Sequence, residues 1–296
     1  MLDKILSGNS VRVLVQGATG RTARRHISMM QGHGTNIVAG VSPRSDVTDI
    51  DSIPVFSSCG EAVAKTGAEV SVIMVPPDAV LAAVEDAVTA GIKLMVAVTE
   101  GMPTHDAMRA VALTRELGAT LIGPTTPGLI LPGKLKLGFL PEVCISPGPL
   151  GIIARSGTLS YELSYRLAQR GIGQSFWVGA GGDPVKGTRF ADFVPPLKRH
   201  GDTKALLVIG EIGGTDEEDF AAALRSHNFT KPVFALLAGS SAPEGVTMGH
   251  AGALVHGKSG TLASKTAALE NAGVSVYTRM RDVVDAIQLA LPHQNN

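Results

Sequence analysis

The sequence predicts an α/β protein of two doubly wound domains, and three observations carry that expectation. Short continuous Val/Ile/Leu runs recur along its 296 residues, stretches with helical spacing separate them, and glycine-rich turns follow several of the runs. Continuous apolar runs suit parallel strands buried on both faces, and alternation of strand and helix builds a parallel sheet.

In the first half the strand candidates are "VRVLVQ" (11–16), "NIVAGV" (36–41), "EVSVIMV" (69–75) and "KLMVAVT" (93–99). The stretches "PDAVLAAVEDAVTAG" (77–91) and "THDAMRAVALTRELG" (104–118) have helical spacing, an Asp or Thr near the start and a Gly at the end, which are helix start and stop signals. Segment 123–151, "GPTTPGLILPGKLKLGFLPEVCISPGPLG", is dense in Gly and Pro without clear periodicity and reads as a connection between domains, set at 1–130 and 131–296. A second array follows: "GIIARS" (151–156), "SFWVGAG" (175–181), "ALLVIGE" (205–211), "PVFALLAG" (232–239) and a short "VSVY" (274–277), with helices between.

Composition narrows the function. Lys plus Arg equals Asp plus Glu, 26 each, so no overall field draws the chain to nucleic acid or an anionic membrane, and phosphate recognition must be local. Cys59 and Cys144 stand far apart and form no CxxC, which gives neither a disulfide framework nor a zinc pattern. No run of about 18 apolar residues occurs, so no membrane span is expected. A reducing compartment fits: the cytoplasm, or the mitochondrial matrix after removal of a targeting segment.

The turn after the first strand is "QGATGRTA" (16–23), leading into a helix. Glycines at such a turn let a phosphate approach backbone N–H groups at the positive end of the helix dipole. Three readings stand side by side: a nicotinamide dinucleotide site, a structural tight turn, or a site for another phosphate-bearing nucleotide. Ala23 occupies the third glycine position, and the second strand ends in "SPRSD" without an immediate acidic residue for a ribose, which disfavours the first. Arg21 and Arg44 can add charge-assisted contacts.

The second half repeats the device in "ARSGTLSYE" (154–162), where Ser156, Gly157 and Thr158 open a helix; GxSxG is absent, so this is no nucleophile elbow. "VGAGGDP" (178–184) and "IGEIGGTDEED" (209–219) are further glycine-rich turns at strand ends, and "DEED" (216–219) reads as a first helical turn. His250 lies in "VTMGHAGALVHG" (246–257), with His256 six residues on. Helix-end anion cradles, the Glu211 carboxylate and a glycine-lined histidine are what a phosphohistidine intermediate requires. The carboxylate orients one ring nitrogen, the other attacks phosphorus, and helix ends stabilise the added charge. The remaining histidines, His26, His33, His105, His200, His227 and His293, are expected to be solvated.

Ordered blocks from "QGATG" through "VTEGMPT", "IGPTTPG", "ARSGTLSYE", "VGAGGDP" and "IGEIGG" to "GSSAPEGVTMGHAGA" make the chain resemble the alpha subunit of succinyl-CoA synthetase, among the nucleoside-diphosphate-forming acyl-CoA ligases. The resemblance covers essentially the whole chain. It implies an N-terminal Rossmann-like CoA-binding domain and a flavodoxin-like ligase domain carrying phosphohistidine at His250, with Glu211 as its acidic partner. It places Thr19, Gly20, Arg21 and Thr22 on a CoA phosphate-binding turn, Val98, Thr99 and Glu100 on a second CoA segment, Ser156, Gly157 and Thr158 at a phosphate-cradling helix start, and Tyr161 on the substrate side. It further implies that ATP or GTP with magnesium sits in an ATP-grasp domain of a separate beta subunit, which this sequence does not resemble, and that the substrate is succinate or a related small carboxylate.

The departures are specific. The family's TPGKGG loop reads "SPRSDV" here, with Ser45 at the lysine position and Arg44 beside it; a guanidinium is not an ammonium. GPNCPG reads "GPTTPG", so Thr125 and Thr126 replace an Asn and a Cys, and the preferred acid is expected to differ from unsubstituted succinate. Ala18 replaces a commonly aromatic residue. Two alternatives of other classes are a catalytically inactive CoA-binding or redox-sensing regulatory protein, and an NAD(P)-dependent dehydrogenase.

Overall fold

The computed structural model describes residues 1–43, 46–239 and 260–291, and the chain divides into two compact units, Met1–Phe139 with Val185–Thr188 and Leu140–Pro184 with Arg189–Asn296. In the first unit the elements run α1 (Leu2–Leu6), β1 (Val13–Gln16), α2 (Arg21–Gly32), β2 (Ile37–Val41), β3 (Asp49–Ile50), β4 (Ile53–Phe56), α3 (Cys59–Thr66), β5 (Val70–Ile73), α4 (Val80–Thr89), β6 (Leu94–Ala97), α5 (Thr104–Glu116), β7 (Thr120–Ile122), β8 (Gly128–Leu131) and β9 (Leu135–Gly138).

The first sheet has the order β3-β4-β2-β1-β5-β6-β7, parallel throughout except for the β3–β4 pair. Strands β1, β5 and β6 are buried at every position, which is why their sequences read as unbroken apolar runs. The chain builds outward from β1 through β2 on one side and through β5 on the other, so the switch point lies at the C-terminal end of β1, where "QGATG" begins. Gln16 is a buried exception, and both ends of its amide are bonded: Nε2 donates to Ala83 O (2.9 Å) and Oε1 accepts from Ser71 Oγ (2.9 Å). Val80, Ala83, Val84, Ala87 and Val88 turn one face of α4 inward at helical spacing onto a core that includes Leu14, Ile73 and Met95.

The segment expected to be only a connection contains more order than its composition suggests. Strands β8 and β9 form an antiparallel hairpin in which Gly128 faces Gly138 and Leu129 faces Leu137.

The second unit runs β10 (Pro147–Ala154), α6 (Gly157–Gln169), β11 (Gln174–Gly179), α7 (Val194–Arg199), β12 (Ala205–Glu211), α8 (Asp216–Ser226), β13 (Val233–Ala238), α9 (Leu262–Glu270), β14 (Ser275–Tyr277) and α10 (Met280–Ala290). Its strands lie in the order β14-β13-β12-β10-β11, every pair parallel. Growth from β10 goes first to β11 and then back to β12, so a second switch point falls at the C-terminal ends of β10 and β12. Among the described residues no helix is long and apolar enough to cross a membrane.

Candidate functional site

Each unit places a glycine turn at its own switch point, and the two turns are built differently. In the first, Gly17 has φ +77°, and a Cβ there would lie 2.7 Å from the Met74 carbonyl oxygen, so only glycine passes between β1 and the chain leaving β5. Gly20 is the N-cap of α2 and supplies no side-chain cap, which leaves the first-turn N–H groups of Arg21 and Thr22 facing outward for an external acceptor. Arg21 and Thr22 are exposed. The Thr19 hydroxyl lies 2.9 Å from Ser42 Oγ. Ala18 is fully buried, and a side chain on Gly40 would meet its Cβ at 2.8 Å, so a small residue at 18 matches a glycine on the neighbouring strand. A main-chain anion cradle without an internal cap fits the phosphates of CoA.

Two further loops leave the same sheet on the same end. Val98 has a buried side chain; the Thr99 hydroxyl donates to Val75 O (2.7 Å); Glu100 is exposed. Thr125 N–H donates to Thr99 O at 3.0 Å, which ties the loop after β7 to the loop after β6. Thr125 has φ +57°, a left-handed conformation uncommon for a β-branched residue. Thr126 is buried, and its hydroxyl accepts from Gly128 N–H at 2.9 Å. Of the two threonines in "GPTTPG", one is therefore held in a strained conformation and the other supports its own loop.

In the second unit the corresponding place is charged and buried. Ser156 caps α6, its hydroxyl accepting from Leu159 N–H at 3.4 Å, while Gly157 and the exposed Thr158 form the helix's first turn. Beside it Arg155, 3% exposed, reaches from the end of β10 to the end of β12. Its Nε lies 3.0 Å from Glu211 Oε1, and Nη1 donates to Gly213 O (2.9 Å). Glu211 N–H donates to Glu217 Oε1 (3.1 Å). Glu217 and Lys265, both with fully buried side chains, are ion-paired, and Lys265 Nζ also donates to Gly214 O and Glu218 Oε2, each at 3.1 Å. Burial pushes the Glu217 carboxyl above its ordinary range, against the pull of the Lys265 ammonium. Tyr161, on the first turns of α6, is pushed up to about 12, chiefly by burial, and is therefore a neutral phenol near neutral pH.

Thr19, Gly20, Arg21, Thr22, Val98, Thr99, Glu100, Thr125 and Thr126 thus lie at the C-terminal end of the first sheet, and Ser156, Gly157, Thr158, Tyr161 and Glu211 belong to the second unit. Arg44, Ser45 and His250 lie outside the described residues. Sequence reasoning did not assign Arg155, Glu217 or Lys265. Lys265 offered a signal: it stands four residues before Leu269 on α9, and both are buried, so a lysine at helical spacing with an apolar position marks a charge turned inward. The "DEED" run opens α8 as expected, and Asp216 and Glu217 within it are buried. His200 is likewise buried, its Nδ1 2.8 Å from Thr203 Oγ1. Burial pushes both cysteine thiols up, which disfavours the thiolate that a redox sensor needs.

Comparison with known proteins agrees with this division. Residues 9–101 match the model of a CoA binding domain, and residues 153–275 match that of a CoA-ligase domain. The chain is 44% identical over 283 residues, 96% of its length and 98% of the relative's, to the succinate–CoA ligase (ADP-forming) subunit alpha 2 of Archaeoglobus fulgidus. It is 44% identical over 274 residues, 92% of its length and 90% of the relative's, to the corresponding alpha subunit of Aquifex aeolicus. Its fold is that of the ATP citrate lyase of Methanosaeta concilii, with TM-score 0.85 at 23% identity; 95% of this chain is covered, and 49% of that longer one. The chain belongs to the family of succinate–CoA ligase alpha subunits.

Proposed function

We propose that this chain is the CoA-binding and phosphate-carrying half of an ADP-forming acid–thiol ligase, working in the cytoplasm with a nucleotide-binding beta subunit of the ATP-grasp type. The relatives are named as alpha subunits of ADP-forming succinate–CoA ligases, which supports both the reaction class and the need for a partner. In thioester synthesis an imidazole nitrogen of His250 takes the γ-phosphoryl group of the nucleotide and releases ADP; a small carboxylate takes the phosphoryl group as an acyl phosphate; the CoA sulfur then attacks the acyl carbon and releases inorganic phosphate.

The chain's own residues divide this work. The first-turn N–H groups of α2, with Arg21, hold the CoA phosphates, and the loops carrying Thr99 and Thr125 border the same end of the sheet. Arg44 and Ser45 belong to this set by sequence. In the second unit the α6 start at Ser156, Gly157 and Thr158 faces the transferred phosphoryl group, Glu211 orients the imidazole, and Tyr161 is a neutral donor to the substrate. The observation that carries the reading is the Arg155–Glu211 pair at the second switch point, 3.0 Å apart and almost wholly buried, because it fixes a carboxylate where an open α/β sheet binds its ligand.

Two measurements test it. Calorimetry on the isolated chain should show CoA binding, and an acyl-CoA assay without the partner should show no turnover; NADH binding without a CoA signal overturns the reading. With the partner added, kcat/KM across succinate, its hydroxylated and sulfonated relatives and monocarboxylates identifies the acid, and a preference of about tenfold or more for succinate excludes the expected substituted acid.

A further inference from the structure

We infer that Glu217, held in place by Lys265, is a positioning residue for Glu211: it fixes the main chain from which the Glu211 carboxylate projects. The inference rests on the reading of Glu211 as the acid of the phosphohistidine step. A buried ion pair is costly to desolvate and is weak evidence for stability in itself. This one is arranged around the end of β12. Three donors of the Lys265 ammonium meet Glu217 Oε2, Glu218 Oε2 and the Gly214 carbonyl, and the second oxygen of Glu217 is left for the Glu211 N–H.

The stretch being held is one that would otherwise move. Gly213 and Gly214 both have positive φ, 86° and 62°, and glycines in that region cost the most conformational freedom to fix. Buried cations grip both of their carbonyls, Arg155 on Gly213 and Lys265 on Gly214. Gly213 N–H is also tied to the Gly260 carbonyl (2.8 Å). The Glu211 side chain is held by Arg155 and its N–H by Glu217. Space for this contact is built into the strand: a Cβ on Gly210 would lie 2.4 Å from Glu217 Oε1. Rotation of the peptide at 211 would swing the carboxylate, and a misplacement of that kind costs rate rather than affinity.

The test uses the full chain in complex with its beta subunit, and reads single-turnover labelling of the alpha chain from γ-labelled ATP below every variant's unfolding midpoint, with CoA affinity in parallel. The double variant Glu217→Leu, Lys265→Met removes the acceptor without leaving a buried charge. It is expected to label about tenfold or more slowly, with CoA affinity within about twofold of the parent. The conservative Glu217→Gln, which keeps an acceptor opposite the Glu211 N–H, recovers most of the rate. Gly210→Ala, which crowds Glu217 Oε1 with all charges in place, slows labelling as the double variant does, and decides the matter if that variant fails to fold. Parental labelling rates in the double variant or in Gly210→Ala overturn the inference, as does Glu217→Gln labelling no faster than the double variant. His250→Asn, run alongside, separates the two claims: label persisting there refutes the phosphohistidine reading, whereas its loss there with parental rates in the Gly210 and Glu217 variants refutes only the positioning role.

Discussion

The turns at the two switch points make opposite use of charge. At the first, between β1 and α2, residues 16–23 bury no charged side chain: the turn offers main-chain N–H groups, and Gly17, Ala18 and Gly40 keep the backbone close to its neighbours. At the second, Arg155, Glu211, Glu217 and Lys265 are all buried within one network. A cradle that holds phosphates of a large ligand needs donors and room; a centre that passes a phosphoryl group needs a charge held at a fixed angle. On the proposed reading, the same α/β architecture supplies both, through the turns at the ends of its strands.

Lys265→Met cuts deepest into this contrast, because it strands the buried Glu217 carboxylate. A loss of about 3–5 kcal/mol in the second unit's transition is expected in chemical denaturation, with CoA affinity of the folded protein unchanged. If CoA affinity fell in step, the two turns would not be separable. Gly17→Val is its counterpart in the first unit: the new side chain meets the Met74 carbonyl at a positive φ. Calorimetry should show CoA affinity falling about tenfold or more, and the unit should lose about 1–3 kcal/mol. Thr125→Asn works in the opposite direction. Asn accepts the left-handed conformation at φ +57° more readily than a β-branched residue, and a gain of about 1 kcal/mol in the first unit is expected. The smallest effect concerns the thiols. With Cys59 and Cys144 buried and pushed up, brief iodoacetamide treatment near pH 8 should leave both unmodified by mass spectrometry; rapid alkylation of either would reopen the redox-sensor alternative.

The β-strand framework was legible because strands buried on both faces must be written as continuous apolar runs: "VRVLVQ" and "ALLVIGE" each became a strand within two residues of the expected ends. The hairpin of β8 and β9 was not, since its paired glycines and flanking prolines mimic a linker and its strands are four residues each. At the sites, motif residues such as Gly20, Ser156 and Glu211 could be located from turn chemistry. The partners of Glu211 could not. Arg155 touches it from just beyond the end of a different strand, and Glu217 and Lys265 meet across 48 positions of sequence, a separation over which local pattern carries no information. Thr126 shows the converse: its hydroxyl, expected near the substrate, is spent on the Gly128 N–H, a choice visible only in the folded loop.

The proposed function puts CoA recognition and phosphoryl transfer at separate turns, and the sharpest test of that separation is to label the Gly17→Val chain from γ-labelled ATP in complex with the beta subunit, omitting CoA. Acid-labile, alkali-stable label should appear on His250 at the parental rate in a protein whose CoA binding is weakened; label that falls together with CoA affinity, while the second unit remains folded, would contradict the assignment.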